Sequence, residues 1–209
     1  MAQTDTQVVP LTKSNLIREV WQIYDGLIEV LSYCVFHEDL ADQYRAITDP
    51  GPRRSNEIPR DLYAVRGTDA IMRMYDYGVC GRSSDFEDDL LGYWDEAHQF
   101  TELAAAAARS NPACAEPVLC RQAFEAGNAR LKLDAGNDIV EEFLMPTDLT
   151  LREVAVLAGM TERSVRNATL ASAKDRLKTF QSGSSVYVDA REALRWLRGR
   201  RGFVETVVN

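Results

Sequence analysis

The sequence is poor in the residues that most often build metal centres, hydrolytic sites and disulfide frameworks. It has two histidines and four cysteines in 209 residues, and no C-x2-C pair occurs. Four cysteines are too few for a disulfide framework in a chain of this length, so we expect reduced cysteines and a cytoplasmic location. These cysteines are Cys34, Cys80, Cys114 and Cys120.

Long apolar runs are missing as well. No stretch of about 18 apolar residues occurs, so the sequence predicts no membrane-spanning helix. Residues 1–6 have neither a basic start nor an apolar core, and we expect no signal peptide there. Three Trp, eight Tyr and seven Phe supply core-forming side chains, which argues against a disordered chain.

Charge is unevenly distributed along the chain. Residues 147–209 carry 11 of the 24 basic side chains and 7 of the 32 acidic ones, a balance of +4. Residues 1–146 carry the other 13 basic and 25 acidic side chains, a balance of −12. Such asymmetry predicts two domains with different partners. We therefore expect an acidic domain over 1–146 and a mildly basic domain over 147–209.

The first domain has the periodicity of helices. Apolar residues recur at intervals of three and four from Leu16 to Val35, which predicts a long helix over about 13–40, opened by Ser14. Its apolar seam suits the interior of a bundle, or a second copy of the chain. Three prolines and a glycine make residues 48–61 a connection. Further helices are predicted over about 67–77, 85–109, 117–133 and 135–144, the second of them opened by a capping box at Ser84–Glu87.

The second domain contains a different series of elements. Thr150 and Glu153 form a capping box before a helix over Leu151–Ala158, which Gly159 ends. Thr161 then caps a second helix that starts at Glu162. Two β-prone runs, 177–180 and 186–188, flank a Gly/Ser turn and predict a hairpin. Asp189 caps a final helix, which closes with Arg-Gly-Arg-Arg.

Each residue type at the tight turn between the first two of these helices suits its position for a physical reason. Gly159 permits a left-handed backbone, and Ala155 is small where the second helix passes close to it. Four side chains are expected to close the core between the helices: Val154, Leu157, Met160 and Val165. A helix, a tight turn, a helix, a hairpin and a helix in about 50 residues form the plan of a winged helix-turn-helix.

Residues 149–198 resemble the excisionase/MerR-type winged helix-turn-helix domains that bind DNA. The resemblance covers about a quarter of the chain. It is carried by Leu149-Thr150, Glu153-Val154-Ala155, Gly159-Met160-Thr161, Val165, the turn at Gly183, Val186-Tyr187-Val188 and Ala193-Leu194-Arg195-Trp196-Leu197. In one departure from the family pattern, residues 171–176 lack the usual Gly, acidic, apolar and Pro series. They are expected to continue the second helix by about one turn.

The resemblance implies a set of DNA contacts. The recognition helix would present its first residues to base edges, where Arg can bridge guanine acceptors and Asn can pair with adenine. Basic residues further along the chain would meet phosphates, and the wing tip would lie along the backbone or minor groove. The DNA-binding residues implied are Thr161, Glu162, Arg163, Ser164, Arg166 and Asn167 at the start of the recognition helix, Lys174, Arg176 and Lys178 between that start and the wing, and Ser182, Gly183 and Ser184 on the wing. Arg198, Arg200 and Arg201 are either further phosphate contacts or a solvated run.

Other site chemistries are less well supported by the residues. Cys34 and His37 have a spacing that can ligate zinc, but Cys34 falls on the apolar seam, and we expect no metal. The acidic run 85–89 lies in a predicted first helical turn, where the helix dipole favours acids. Since no nucleophile motif and no Gly-rich phosphate loop occurs, we expect no enzyme and no cofactor.

The sequence thus predicts a mainly α protein, with an N-terminal helical bundle domain and a C-terminal winged helix-turn-helix carrying a small β-hairpin wing. Its expected partner is double-stranded DNA, bound by a transcriptional regulator that forms a homodimer through the N-terminal helical domain. The sequence does not identify a small-molecule effector. Two alternatives stay open: a protein-interaction adaptor that uses the winged helix as a scaffold, and a phage DNA-packaging or recombination accessory protein.

Overall fold

The computed structural model describes residues 11–34, 66–82, 90–112, 114–137 and 146–207. These residues are mainly helical, with a small three-stranded antiparallel sheet. The helical part, residues 11–137, contains α1 (Lys13–Cys34), α2 (Arg66–Cys80), α3 (Leu90–Ser110) and α4 (Val118–Ala135). The C-terminal segment, residues 146–207, contains β1 (Leu149–Thr150), α5 (Leu151–Ala158), α6 (Glu162–Ala168), β2 (Phe180–Ser182), β3 (Ser185–Val188) and α7 (Ala190–Leu197). None of these helices is long and apolar enough to cross a bilayer.

The apolar seam of α1 packs into the core of its own chain. Leu16, Val20 and Ile23 are at most 1% exposed, and they join a cluster with side chains of α2, α3 and α4. Burial of this seam against neighbouring helices is the usual source of helix stability in proteins. The described stretch of the seam is therefore occupied within the chain and is not available to a second copy. The helix begins at Lys13, and Thr12, rather than Ser14, accepts a hydrogen bond from the Asn15 N–H at 3.3 Å.

A residue of α1 caps α4. Pro117 precedes α4 and offers its first turn no side-chain hydrogen bond. The N–H groups of Leu119 and Cys120 instead donate to the two carboxylate oxygens of Glu19, each at 2.8 Å. An acid at this end of a helix satisfies unpaired N–H groups and complements the helix dipole. Glu19 thereby fixes α1 across the start of α4.

Helix α4 contributes to two hydrophobic cores. Ala129 and Leu133 of its later turns are fully buried in a second cluster, formed mainly by side chains of α5, α6, the sheet and α7. On the same side, Lys132 pairs with Glu153 of α5 at 2.7 Å. The C-terminal segment is thus packed directly on α4. The division of the chain into two domains at residue 146 stays a prediction.

The sheet has the strand order β1-β3-β2, with both pairs antiparallel. Leu149 lies opposite Val188, and both side chains are fully buried in the second cluster. The sequence predicts the hairpin but not β1, since two residues beside a capping box carry no strand pattern. Strand β2 also starts three residues later than expected, because Leu177 is fully buried in the core and the Lys178 N–H donates to Glu192.

Two predictions about this segment are wrong. Residues 171–176 do not extend the second helix, because α6 ends at Ala168 and the chain turns back. The Leu177 N–H then donates to the Ala168 carbonyl at 2.9 Å. Met160 is 39% exposed rather than a core residue, because the left-handed Gly159 turns the chain outward. Val154, Leu157 and Val165 are buried, as predicted.

Some predictions fall outside the described residues. These are the connection at 48–61, the capping box at Ser84–Glu87, the end of the first helix beyond residue 34, and most of the helix at 135–144.

Candidate nucleic-acid interface

Caps and a left-handed glycine set the geometry of α5 and α6. Thr150 accepts from the Glu153 N–H at 3.2 Å, and the Glu153 carboxylate accepts from the Thr150 N–H at 2.7 Å. Gly159 has φ +60°, and the next N–H, that of Met160, donates to the Ala155 carbonyl at 2.9 Å. These bonds satisfy groups that every helix end leaves unpaired. The turn therefore directs α6 away from α5 at a defined angle.

Helix α6 exposes most of its side chains. Val165 is its one fully buried residue and anchors the helix to the second core. Arg163, Arg166 and Asn167 are exposed, at the outward positions that the sequence predicts. The hydroxyls of Thr161 and Ser164 lie 2.9 Å apart, and Thr161 also accepts from the Ser164 N–H. These two hydroxyls serve the helix cap, which limits their part in any contact with a ligand.

The two arginines of α6 are in different states. Arg166 is paired with Glu162 of the preceding turn, with 2.7 Å between Nη2 and Oε1. Arg163 forms no ion pair or hydrogen bond through its side chain with any residue in the described part of the chain. Since an exposed i, i+4 pair contributes only about 0.3–0.5 kcal/mol, the Arg166 guanidinium can exchange Glu162 for another anion at small cost.

The loop after α6 holds the other predicted basic residues. Lys174, Arg176 and Lys178 are all exposed. The Arg176 Nε donates to the Thr169 carbonyl at 3.1 Å, which ties the loop back to the end of α6. At the base of the loop, the Trp196 Nε1 donates to the Asp175 carbonyl at 3.1 Å. The basic loop is therefore held beside α6 and α7.

The hairpin ends in a turn of two residues, Gly183 and Ser184. Ser182, Gly183 and Ser184 are exposed, and Gly183 has φ +59° with open space where a Cβ would lie. A left-handed glycine is typical of the tight turns that match strand twist. The rings of Phe180 and Tyr187 stack across the strands with centroids 6.1 Å apart. The predicted wing tip is thus polar and free of bulky side chains.

Ion pairs within the C-terminal segment engage many of its acids and several of its arginines. Arg195 pairs with Asp175 and Glu192, and Arg198 pairs with Glu205. Arg200 also binds Asp175, and its guanidinium lies 3.8 Å from the centre of the Trp196 ring. The basic side chains without an ion pair to a described residue are Arg163, Lys174, Arg176, Lys178 and Arg201. The surplus positive charge of the segment therefore lies mainly on α6, on the following loop and at Arg201.

No metal centre emerges in the residues that the structure describes, where no group of three His, Cys, Asp or Glu side chains could hold an ion. Burial raises the pKa of the Cys120 thiol well above its ordinary value, and the nearby Glu19 carboxylate adds to the shift. A thiol in this state is a poor nucleophile and a poor metal ligand.

A group of buried polar side chains, which the sequence does not predict, lies between the helical part and the end of the C-terminal segment. Arg130 and Asp134 of α4 are each 1% exposed. Tyr77 of α2 donates to the Asp134 carboxylate at 2.6 Å, and Thr206 donates to the same oxygen at 2.7 Å. Burial raises the pKa of Asp134 and lowers that of Arg130. The one signal in the sequence is an i, i+4 Arg–Asp pair among Ala and Leu residues.

Comparisons of the chain with protein-family models, with curated proteins and with solved structures found no significant match.

Proposed function

We propose that this protein binds double-stranded DNA in a sequence-specific manner, as a transcriptional regulator, and inserts α6 into the major groove. In this proposal α5, α6, the hairpin and α7 form a winged helix-turn-helix. The proposal rests on the sequence resemblance and on one structural observation. Exposed α6 and its following loop carry basic side chains that the acids of the segment leave unpaired.

The chemistry of α6 suits base recognition. Arg163 and Arg166 have donors that match the O6 and N7 acceptors of guanine, and Asn167 can pair with adenine N6 and N7. Val165, between them, holds the helix on the core, so the exposed side needs no rearrangement to enter a groove. Lys174, Arg176 and Lys178 suit phosphates, whose contacts fix the position of a protein on the duplex.

The acidic helical part restricts how DNA can approach. Residues 1–146 carry a balance of −12, which repels a polyanion and requires that part to point away from the duplex. Dimerisation through the helical part remains part of the proposal, because one reading module offers limited contact area. Since the described seam of α1 is buried, the dimer contact must lie outside that described stretch.

Selection from a pool of random-sequence duplexes tests the proposal. The full chain should enrich a defined site, and Asn167→Ala should bind that site more weakly while relaxing the preference at one adenine position. Val204→Ala, an exposed change outside α6, should select the same site as the unmodified chain. Recovery of unenriched sequences by the unmodified chain would contradict a sequence-specific regulator.

A second candidate is the protein-interaction adaptor. It is favoured by exposed apolar side chains on the C-terminal segment, where Leu170 is 55% exposed and Phe180 42%. Singly scattered apolar residues are common on protein surfaces, so this observation is the weaker of the two. If the protein is an adaptor, Leu170→Ser and Phe180→Ser should abolish partner binding. Substitutions of exposed residues on α6 should then have no effect on it. The opposite pattern would favour the DNA-binding proposal.

A further inference from the structure

The chain after α7 returns across the molecule and touches both of its parts. We name residues 199–207 the strap. It runs past the turn between α5 and α6, over the buried polar side chains of α4, and ends beside the last turn of α2. The contacts at these three places are of different kinds.

At the first place, the strap packs against the turn that directs α6. A Cβ added at Gly202 would overlap the carbonyl oxygen of Ala158, the last residue of α5. The position of a Cβ on Gly159 would lie 3.7 Å from the Gly202 Cα. Backbone therefore meets backbone here, and only glycine fits at position 202. A displacement of the strap would remove the support behind the α5–α6 turn.

At the second place, the strap completes the buried polar cluster of Tyr77, Arg130 and Asp134. Thr206 donates to Asp134, as described above, and accepts from the Arg130 Nη1 at 3.4 Å. The ring of Phe203 lies 4.7 Å from the Arg130 guanidinium carbon, a cation–π contact. Because charged groups buried without partners are costly, Arg130 and Asp134 hold the strap in place.

At the third place, the strap reaches the end of α2. The Val207 N–H donates to the Gly81 carbonyl at 2.9 Å, and Arg82 forms a parallel bridge with Val207. Gly81 has φ +68°, and a Cβ there would overlap the carbonyl oxygen of Glu205. The glycine at the end of α2 therefore allows the backbone of the strap to pack closely against it. A movement of α2 against α4 would act on both the polar cluster and this bridge.

We propose that the strap is a conformational link between the buried polar cluster and the α5–α6 turn, and that its release changes the DNA affinity of α6. The effect on DNA affinity, the affinity claim, rests on the proposed function. The link between the cluster and the turn, the mechanical claim, does not, since it concerns contacts within the chain. A ligand or partner that separates α2 from α4 would withdraw the strap from the turn, and α6 would lose its fixed orientation.

Amide hydrogen exchange on the full chain tests the mechanical claim. Thr206→Val keeps the side-chain shape but removes the hydroxyl that serves Asp134 and Arg130. We expect exchange at the Met160 N–H, in the distant turn, to rise about fivefold or more. Gly202→Ala changes the strap where it meets the α5–α6 turn. It should raise exchange at the Gly81 N–H, which donates to the Tyr77 carbonyl near the opposite end of the strap. Exchange at the N–H of Val20, whose side chain is buried, reports global unfolding. Val204→Ala, an exposed change within the strap, is the matched control.

The outcomes separate the mechanical claim from the affinity claim. Exchange that rises more at the far end than at the Val20 N–H in both variants supports the link. Changes confined to the mutated end, or an equal rise at Val20, overturn it. DNA affinity is then measured with a mixed-sequence duplex of about 30 base pairs at low salt, where Thr206→Val should shift the affinity about fivefold or more.

If the unmodified chain binds and Thr206→Val binds equally well, control of affinity by the strap is overturned, whatever the exchange data show. If the unmodified chain binds no duplex, the proposed function fails and the affinity claim fails with it. The exchange result still decides the mechanical claim in that case.

Discussion

The guanidinium of Arg166 is bound by the carboxylate of Glu162, one turn earlier on α6, at 2.7 Å. Both side chains are exposed, at 68% for Arg166 and 44% for Glu162. The pair neutralises one of the two arginines on the helix that we propose enters the major groove. In the proposed complex Glu162 would compete with DNA for Arg166 and so reduce non-specific attraction to phosphates. The pair leaves Arg163 as the uncompensated arginine of the helix.

Glu162→Gln should strengthen binding to a mixed-sequence duplex. The change releases Arg166 and removes a negative charge from the proposed interface, so we expect about a 3- to 10-fold gain in affinity at low salt. The slope of log affinity against log salt should become steeper by about one unit, as one more phosphate contact forms. Glu102→Gln, an equal charge change on an exposed position of α3, is the control. Equal gains in the two variants would show that total charge, rather than Arg166, is responsible.

Glu19→Gln should destabilise the helical part. The Glu19 carboxylate accepts from two N–H groups at the start of α4, and a neutral amide can replace only one such acceptor. We expect a loss of about 1–3 kcal/mol in the free energy of unfolding, measured by urea titration of the full chain. Glu116→Gln, an exposed change shortly before α4, should leave the free energy nearly unchanged. Similar losses in both variants would contradict the capping role of Glu19.

Gly159→Ala should destabilise the turn between α5 and α6 through its backbone. The position has room for a methyl group, since the nearest atom would lie 3.7 Å away, but its φ is +60°. A left-handed conformation costs an alanine about 1–2 kcal/mol, and thermal unfolding should show that loss. Gly199→Ala is the comparison, because that position lacks a positive φ and its nearest neighbour would be 3.5 Å away. An unchanged melting temperature for Gly159→Ala would contradict the left-handed turn.

Stability should fall at acidic pH in a way that depends on Glu192. Hydrogen bonds from Arg195 lower the pKa of Glu192 below its ordinary value of 4.5, helped by the Lys178 N–H and opposed by burial. Because the folded pKa lies below the unfolded one, this stabilisation is complete above about pH 4.5 and is lost as the pH falls through the folded pKa. Glu192→Gln should remove that part of the pH dependence.

The measurement is the urea midpoint of both proteins between about pH 6 and pH 3. Asp134 has a raised pKa and therefore contributes with the opposite sign, favouring the folded state at low pH. Its effect is common to both proteins, so the difference between them isolates Glu192. Parallel midpoint curves would contradict the assignment.

Local features of the C-terminal segment could be predicted from the sequence. Thr150, Thr161 and Asp189 cap the helices to which they were assigned, and Gly159 is left-handed. Each of these features depends on residues within one turn, where propensity and capping chemistry act directly. The exposure of Arg163, Arg166 and Asn167 follows from the same periodicity. Their contact with DNA stays a prediction.

Features that depend on distant contacts could not be predicted in this way. Glu19 caps a helix that begins 99 residues later, and Thr206 serves a carboxylate 72 residues earlier. Neither residue stands in a pattern that marks its partner. The residues of the loop after α6 favour a helix by their own propensity, but the burial of Leu177 in the core makes the chain turn back there. The orientation of α6 therefore depends on packing that no local pattern reveals.

The most direct test of DNA binding by α6 is fluorescence anisotropy with the full chain and a duplex from the selection, from about 50 to 200 mM salt. We expect affinity to fall steeply with salt and the paired change Arg163→Ala with Arg166→Ala to weaken binding at least about tenfold. Arg109→Ala with Arg121→Ala, which removes two exposed arginines from α3 and α4, should bind like the unmodified chain. Absence of binding at low salt, or equal affinities for the two paired variants, would contradict the account.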